Sequence, residues 1–368
     1  MLKYISLLTI GLFTEILIGQ NALKLKEETS KANFVLGFSY DYGQILNTNK
    51  FLDGDNLAQK KIDQYSGFTL KFGLQNTGEQ DWQQVYKYPY YGLGLSFYNL
   101  KSEEIGNPIS TFAYFGMPLW RFKAIEIYGE FQFGFAGNWN EYDSITNPKN
   151  ISVSTNITAY TGGGIRALLN LNSNLDLGFG FNFKHFSNGG GSLPNKGINF
   201  NGSEIVCRYH IQKRPSFSLN EKHNILKKKN EFRTFLNFGQ YQTIDNGNNT
   251  HENTVIGISA LYFHQHTIKY RNGFGLDLNN WIEKSGNSNQ NHLSLGFVFQ
   301  PELTIGNLDL IGGIGVYAKH QAYKNFDQFY QRLGMRYNFN SKISFGFNIR
   351  AIDFYLAENI EYQFGYRF

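Results

Sequence analysis

Residues 183–199 read FKHFSNGGGSLPNKGIN and gather side chains suited to chemistry. His185 stands two residues before Ser187, Asn188 follows directly, and Asn195 and Asn199 lie beyond a glycine-rich loop. A serine hydroxyl becomes an effective nucleophile only when a neighbouring base takes its proton, and imidazole titrates in the right range for that task. Amide side chains supply N–H donors of the kind that stabilise an oxyanion. The same residues also make an ordinary polar turn, and spacing alone leaves both readings open.

The elements that carry these residues sharpen the choice. In LDLGFGFNFKHFS, Leu175, Leu177, Phe179, Phe181 and Phe183 alternate along the chain. Alternate residues of a strand share a side, which brings His185 and Ser187 onto the apolar face and leaves Asp176, Asn182 and Lys184 on the other. In the next segment, Ile205, Cys207, Tyr209 and Ile211 define an apolar face that also carries Ser203, Asn201 and Asn199. A hairpin without a bulge therefore sets Asn199 beside His185.

The rest of the chain follows the same two-residue period. In KISFGFNIR, Ile343, Phe345, Phe347 and Ile349 oppose Ser344, Gly346, Asn348 and Arg350. The composition agrees: 34 Phe, 24 Tyr and 39 Gly against 7 Pro favour strands and tight turns over helices. The net charge of +5 is mild for 368 residues and shows no basic stripe, which excludes a nucleic-acid partner. The single cysteine, Cys207, excludes an internal disulfide framework and a cysteine-based zinc site.

Strand-like segments fall at 33–43, 64–74, 88–99, 108–117, 123–137, 154–170, 174–186 and 197–211, and then at 231–243, 253–264, 267–278, 291–300, 306–318, 327–338, 341–351 and 356–368. Most reach about 10 residues, the length of a tilted membrane strand rather than the ~5–6 of soluble sheets. Long polar connections at 44–63, 138–153, 187–196 and 279–290 take turns with short ones at 171–173, 265–266 and 339–340. That is the arrangement of an outer-membrane barrel, apolar face to lipid and polar face inward, with the short turns periplasmic. The 75–87 connection is too long for that pattern.

The expected fold class is thus all-β, a transmembrane antiparallel β-barrel of the outer membrane with about 16 strands in total. Residues 1–20 read as a signal peptide, with Lys3, an apolar stretch to Ile18 and an atypical Glu15. Residues 30–211 and 231–368 hold the strands, separated by a polar, basic stretch over 212–230 that is expected to be a periplasmic linker. One large barrel is the favoured closure; two tandem 8-stranded barrels are the alternative.

The run His185, any residue, Ser187-Asn188, a glycine-containing loop, then Pro194-Asn195, any residue, Gly197 resembles the signature of the PagL-type lipid A 3-O-deacylases of the bacterial outer membrane. The resemblance covers about residues 90–211 and is concentrated in 183–199. It implies an esterase without cofactor or metal that removes a 3-hydroxyacyl chain from lipid A, the anchor of lipopolysaccharide. Ser187 takes the place of the nucleophile, His185 of its base and Asn195 of the oxyanion donor, with Asn188 placed to help as a second donor or in positioning substrate. The family's glutamate, which orients the histidine, is replaced by Asn199. An asparagine oxygen still accepts the imidazole N–H and fixes its tautomer, without stabilising imidazolium by charge. Glu204, the nearest later acid, falls on the opposite face.

On this reading the substrate lies in the outer leaflet beside an active site on the barrel wall, with surrounding outer-membrane lipid as a further partner. The closing aromatic, Phe368, resembles those read by the barrel-assembly machinery. A passive porin or uptake channel is the competing function, because about 16 strands would leave an aqueous lumen. Trp82, Trp120, Trp139 and Trp281 lie near strand ends, as belt aromatics do. The His264 and His266 pair lacks a third ligand for a metal site.

Overall fold

The computed structural model describes residues 33–217, 229–244, 250–285, 288–319, 328–352 and 356–368. The predicted signal peptide and part of the predicted linker, residues 218–228, lie outside them. The first eight strands are β1 (Asn33–Ile45), β2 (Gln64–Gln75), β3 (Tyr90–Asn99), β4 (Gly106–Phe122), β5 (Ile125–Trp139), β6 (Thr158–Asn170), β7 (Leu175–Ser187) and β8 (Ile198–His210). The second eight are β9 (Asn230–Ile244), β10 (Thr250–Gln265), β11 (Tyr270–Ser285), β12 (Ser288–Ile305), β13 (Leu308–Lys319), β14 (Phe329–Asn338), β15 (Ile343–Ile352) and β16 (Leu356–Arg367).

Each set of eight closes on itself, so the chain forms two tandem antiparallel barrels. Among the described residues sixteen strands are present as expected, and of the two closures the favoured single barrel gives way to the alternative. The reason lies in the seams: β8 returns to β1 along Val35↔His210 to Ile45↔Phe200, and β16 returns to β9 along Ile360↔Gln240 to Arg367↔Arg233. Neither barrel leaves a full-length strand edge for the other to pair with.

Eight strands enclose a space that side chains fill, and here the filling is charged. In the first barrel Arg166 reaches Glu204 at 2.7 Å, and Arg208 bridges Asp176 at 2.8 Å and Glu126 at 3.0 Å. In the second, Arg332 meets Asp277 and Glu361, both at 2.9 Å, and Arg350 meets Glu358 at 3.1 Å and Glu361 at 3.3 Å. Apolar side chains take the outer surface instead: Phe181 is 62% exposed and Ile205 66%, whereas Glu204 is buried. This inside-out distribution is that of a membrane barrel and not of a soluble sandwich.

The long β2–β3 connection, which the loop pattern did not accommodate, contains the short helix α1 (Asp81–Val85). It packs against the second barrel: the Tyr86 hydroxyl donates to the Thr304 carbonyl at 2.9 Å, and Lys269 lies 4.8 Å from the Tyr86 ring. Midway along the walls, the rings of Phe133 and Phe347 are 4.8 Å apart. The tryptophans do not form one belt. Trp120 is exposed, but Trp139 and Trp281 turn into the barrels, where their indole N–H groups donate to Thr158 and Ser294. Burying an indole requires such a partner.

Candidate active site

The β7–β8 hairpin has no bulge, and His185 pairs in register with Asn199. Along β7 the odd-numbered residues face outward, with Phe179, Phe181 and Phe183 exposed, while Asp176, Asn182, Lys184 and Phe186 are buried inside. His185 and Ser187 follow the outward parity, but His185 is only half exposed and Ser187 is buried. The cover comes from the loop over 188–197, which folds back across the end of the strand.

Two donors meet on the serine. The Asn195 side-chain amide donates to Ser187 Oγ at 2.9 Å, and the Gly189 backbone N–H donates to the same atom at 3.1 Å. Across the hairpin, His185 Nδ1 and Asn199 Oδ1 are 2.6 Å apart. Because an amide oxygen only accepts, this contact places the proton on Nδ1 and leaves Nε2 with a free lone pair. The imidazole thus turns its basic nitrogen away from Asn199; His185 and Ser187 share a strand parity, but no hydrogen bond joins them.

Asn188 does not reach the serine. Its amide nitrogen donates to Ser154 Oγ at 3.0 Å and to the Ser192 carbonyl at 2.8 Å, and its Oδ1 accepts the Gly190 N–H at 3.1 Å. The backbone N–H of the next residue, and not the Asn188 side chain, donates to Ser187 Oγ. Gly189 turns that N–H back because its φ is +67°, a conformation that favours glycine. The three-glycine run was the signal for it, although nothing in the sequence said which N–H would point at the serine.

The loop is pinned from the neighbouring 140–157 connection as well. Lys196 N–H and Gly197 N–H donate to the carbonyls of Ile151 and Ser152 at 3.0 and 3.1 Å, and Ser154 Oγ donates to the Ser192 carbonyl at 2.9 Å. Gly197, at φ +67°, packs over the pair; a Cβ there would lie 3.2 Å from His185 Cε1. Farther out, Lys149 donates to Asp55 at 2.9 Å and joins two of the long loops; that ammonium holds the Asp55 carboxyl below its ordinary range. Ser154 and Ser152 carry no motif by which sequence reasoning would have found them.

Glu204 faces the barrel interior, as its parity predicts, where Arg166 engages it. It cannot orient His185 from there. A cavity of about 650 Å³ lies far from these residues, at the short-turn end of the second barrel, lined by Glu231, Arg271, Asp309 and Arg367 among others. Its carboxylates and guanidinium groups already pair with one another.

Comparison with known proteins gives two family matches. The model for the lipid A 3-O-deacylase (PagL) matches residues 67–207, and the model for the acyloxyacyl hydrolase C-terminal domain matches residues 230–368. No curated protein matches the chain. Among solved structures, the Pseudomonas putida toluene transporter TodX is 10% identical, covering 91% of this chain and 88% of its own, with a TM-score of 0.19. The translocator domain of the autotransporter NalP from Neisseria meningitidis is 8% identical, covering 98% and 95%, with a TM-score of 0.17. At such scores these likenesses carry no argument.

Proposed function

The chain belongs to the lipid A 3-O-deacylase (PagL) family, and from that premise we propose that it is a serine esterase of the bacterial outer membrane whose active site lies on the outer wall of the first barrel. The observation that carries this reading is the convergence on Ser187. Two N–H donors aim at its Oγ, and a histidine with a fixed tautomer shares its face.

Ser187 Oγ attacks the carbonyl carbon of the ester-linked 3-hydroxyacyl chain while its proton passes to His185 Nε2. The bond from Oγ to the acyl carbon forms, and the carbonyl oxygen becomes an oxyanion. Asn195 Nδ2 and the Gly189 N–H then shift from Oγ to that oxyanion, which lies two bonds away through the acyl carbon. Preorganised donors of this kind contribute roughly 2.7–4 kcal/mol each in other acyl-transfer sites. The ester C–O bond breaks, the sugar oxygen takes the proton from His185, and the acyl-serine is hydrolysed by water through the same steps. Asn199 holds the ring throughout by accepting the Nδ1 proton. Nε2 and Oγ are not hydrogen-bonded to each other in the structure, and the mechanism requires them to come within reach when substrate is bound.

An outward-facing site suits this substrate, since the acyl chains of lipid A lie alongside the barrel wall. The exposed Phe179, Phe181 and Phe183 lead up to the serine along the same face. The channel reading is not favoured, because both interiors are occupied by buried ion pairs and aromatic rings. Mass spectrometry of lipid A from cells producing the wild type or Ser187→Ala tests the proposal. The expected result is loss of one ester-linked 3-hydroxyacyl chain with the wild type only. Unchanged lipid A beside a folded wild-type protein overturns it.

A further inference from the structure

The second barrel touches the loop that carries the oxyanion donors. On β9 the even-numbered residues face outward, with Phe232, Leu236 and Phe238 exposed; Gln242 continues that face. An amide on an apolar outer wall is costly unless it is hydrogen-bonded. Gln242 Oε1 accepts the Leu193 N–H of the first barrel at 2.9 Å, and the Gln242 backbone N–H donates to the Gly190 carbonyl at 3.3 Å.

The backbone bond has a reason in the ladder. Among the described residues, β9 pairs with β16 only as far as Gln240↔Ile360, whereas its pairing with β10 continues to Ile244↔Thr250. Beyond Gln240 the β16 side of β9 is therefore open, and the catalytic loop occupies it. The fit is close enough to constrain the loop's composition. A Cβ on Gly189 would lie 2.5 Å from Ile360 Cγ1, and one on Gly190 would lie 2.8 Å from the Ala357 carbonyl oxygen. Both glycines have positive φ, +67° and +81°. The conformation that turns the Gly189 N–H toward Ser187 is thus the one that seats the loop against β16.

We propose that the second barrel acts as a fixed arm of the active site, with Gln242 as a positioning residue that holds the loop over 189–193 so that the Gly189 N–H points at Ser187. This rests on the reading of Ser187 as the nucleophile. Gln242 touches neither serine nor substrate and acts through Gly190 and Leu193. The contacts of Tyr86 with Thr304 and of Phe133 with Phe347 keep the two walls from pivoting around it.

The test compares Gln242→Leu, which keeps the size but cannot accept a hydrogen bond, with Gln242→Glu, which retains an oxygen. All proteins are full-length and folded into lipid vesicles, with thermal unfolding recorded for each. For Gln242→Leu, kcat on purified lipid A is expected to fall roughly 10- to 100-fold with KM within about threefold, as for a misplaced catalytic donor. Gln242→Glu is expected to stay within about threefold of the wild type. Gly190→Ala, whose methyl would meet the Ala357 carbonyl, is a second probe with the same expected loss of kcat. Hydrogen exchange at the Leu193 amide, read in a Ser187→Ala background, needs no turnover and should lose protection in Gln242→Leu. Wild-type kcat in Gln242→Leu, or unchanged Leu193 protection, overturns the proposal. Gln242-dependent protection in a folded wild type without turnover supports the arm and counts against the deacylase reading instead.

Discussion

By the resemblance of residues 183–199, Asn199 takes the place of the family's glutamate, and exchanging it tests the proposed mechanism most directly. The 2.6 Å contact between His185 Nδ1 and Asn199 Oδ1 fixes the ring in the present chain. In the transition state the ring becomes imidazolium, and the bond becomes charge-assisted. Asn199→Leu removes the acceptor; a hydrogen bond to a charged group contributes about 1.5–3 kcal/mol, so kcat should fall roughly 10- to 150-fold. Asn199→Asp keeps the shape and adds a charge. Two unit charges about 4 Å apart attract by roughly 4 kcal/mol at an effective dielectric constant of 20. His185 is only half buried, and solvent screening reduces that figure to about 1–1.5 kcal/mol. The expected gain in kcat is therefore roughly 5- to 12-fold. The assay is release of 3-hydroxy fatty acid from purified lipid A in mixed micelles, with Ser187→Ala as the baseline. An Asn199→Leu protein that turns over within about threefold of the wild type, while Ser187→Ala is inactive, would refute the assignment of Asn199 as the residue that orients the base.

Three further outcomes follow from the same geometry. Asn195→Ala should lower kcat by about 10²- to 10³-fold, since it deletes the side-chain donor on Ser187 Oγ and leaves the Gly189 N–H alone; steady-state kinetics on lipid A read this. Glu204→Gln should leave kcat within about threefold, because Glu204 faces the interior, while lowering the unfolding midpoint by stripping Arg166 of a partner. A large loss of kcat with an unchanged midpoint would overturn the reading of that interior placement as irrelevant to catalysis. In the second barrel, Arg350→Ala should cost about 3–5 kcal/mol of stability by leaving Glu358 and Glu361 short of a buried counter-charge. Urea unfolding in detergent micelles measures it.

Much of this protein is legible one residue after another. Strand parity depends only on the two-residue repeat of an extended backbone, so it put His185 and Ser187 on the apolar face, Glu204 on the opposite one and Asn199 across the hairpin. The serine, histidine and asparagines of the proposed site are also local, lying within 185–199, and their spacing could be read without a fold. What parity does not contain is closure. Whether β8 meets β1 or continues into β9 depends on which distant strand edges find each other, and no local pattern specifies that pairing.

The donors on Ser187 divide in the same way. Asn195 is a side chain and was visible by type, whereas the Gly189 N–H exists in every residue and acquires a role only through a backbone angle of +67°. Gly189 lies between the Asn188 bonds to Ser154 and Ser192 and the wall of the second barrel at Ile360. The sequence by itself determined the strand faces and the chemical types at the site. That two barrels form, and that the 189–193 loop of one rests against the wall of the other, came from the tertiary structure, because both depend on contacts between residues far apart in the chain.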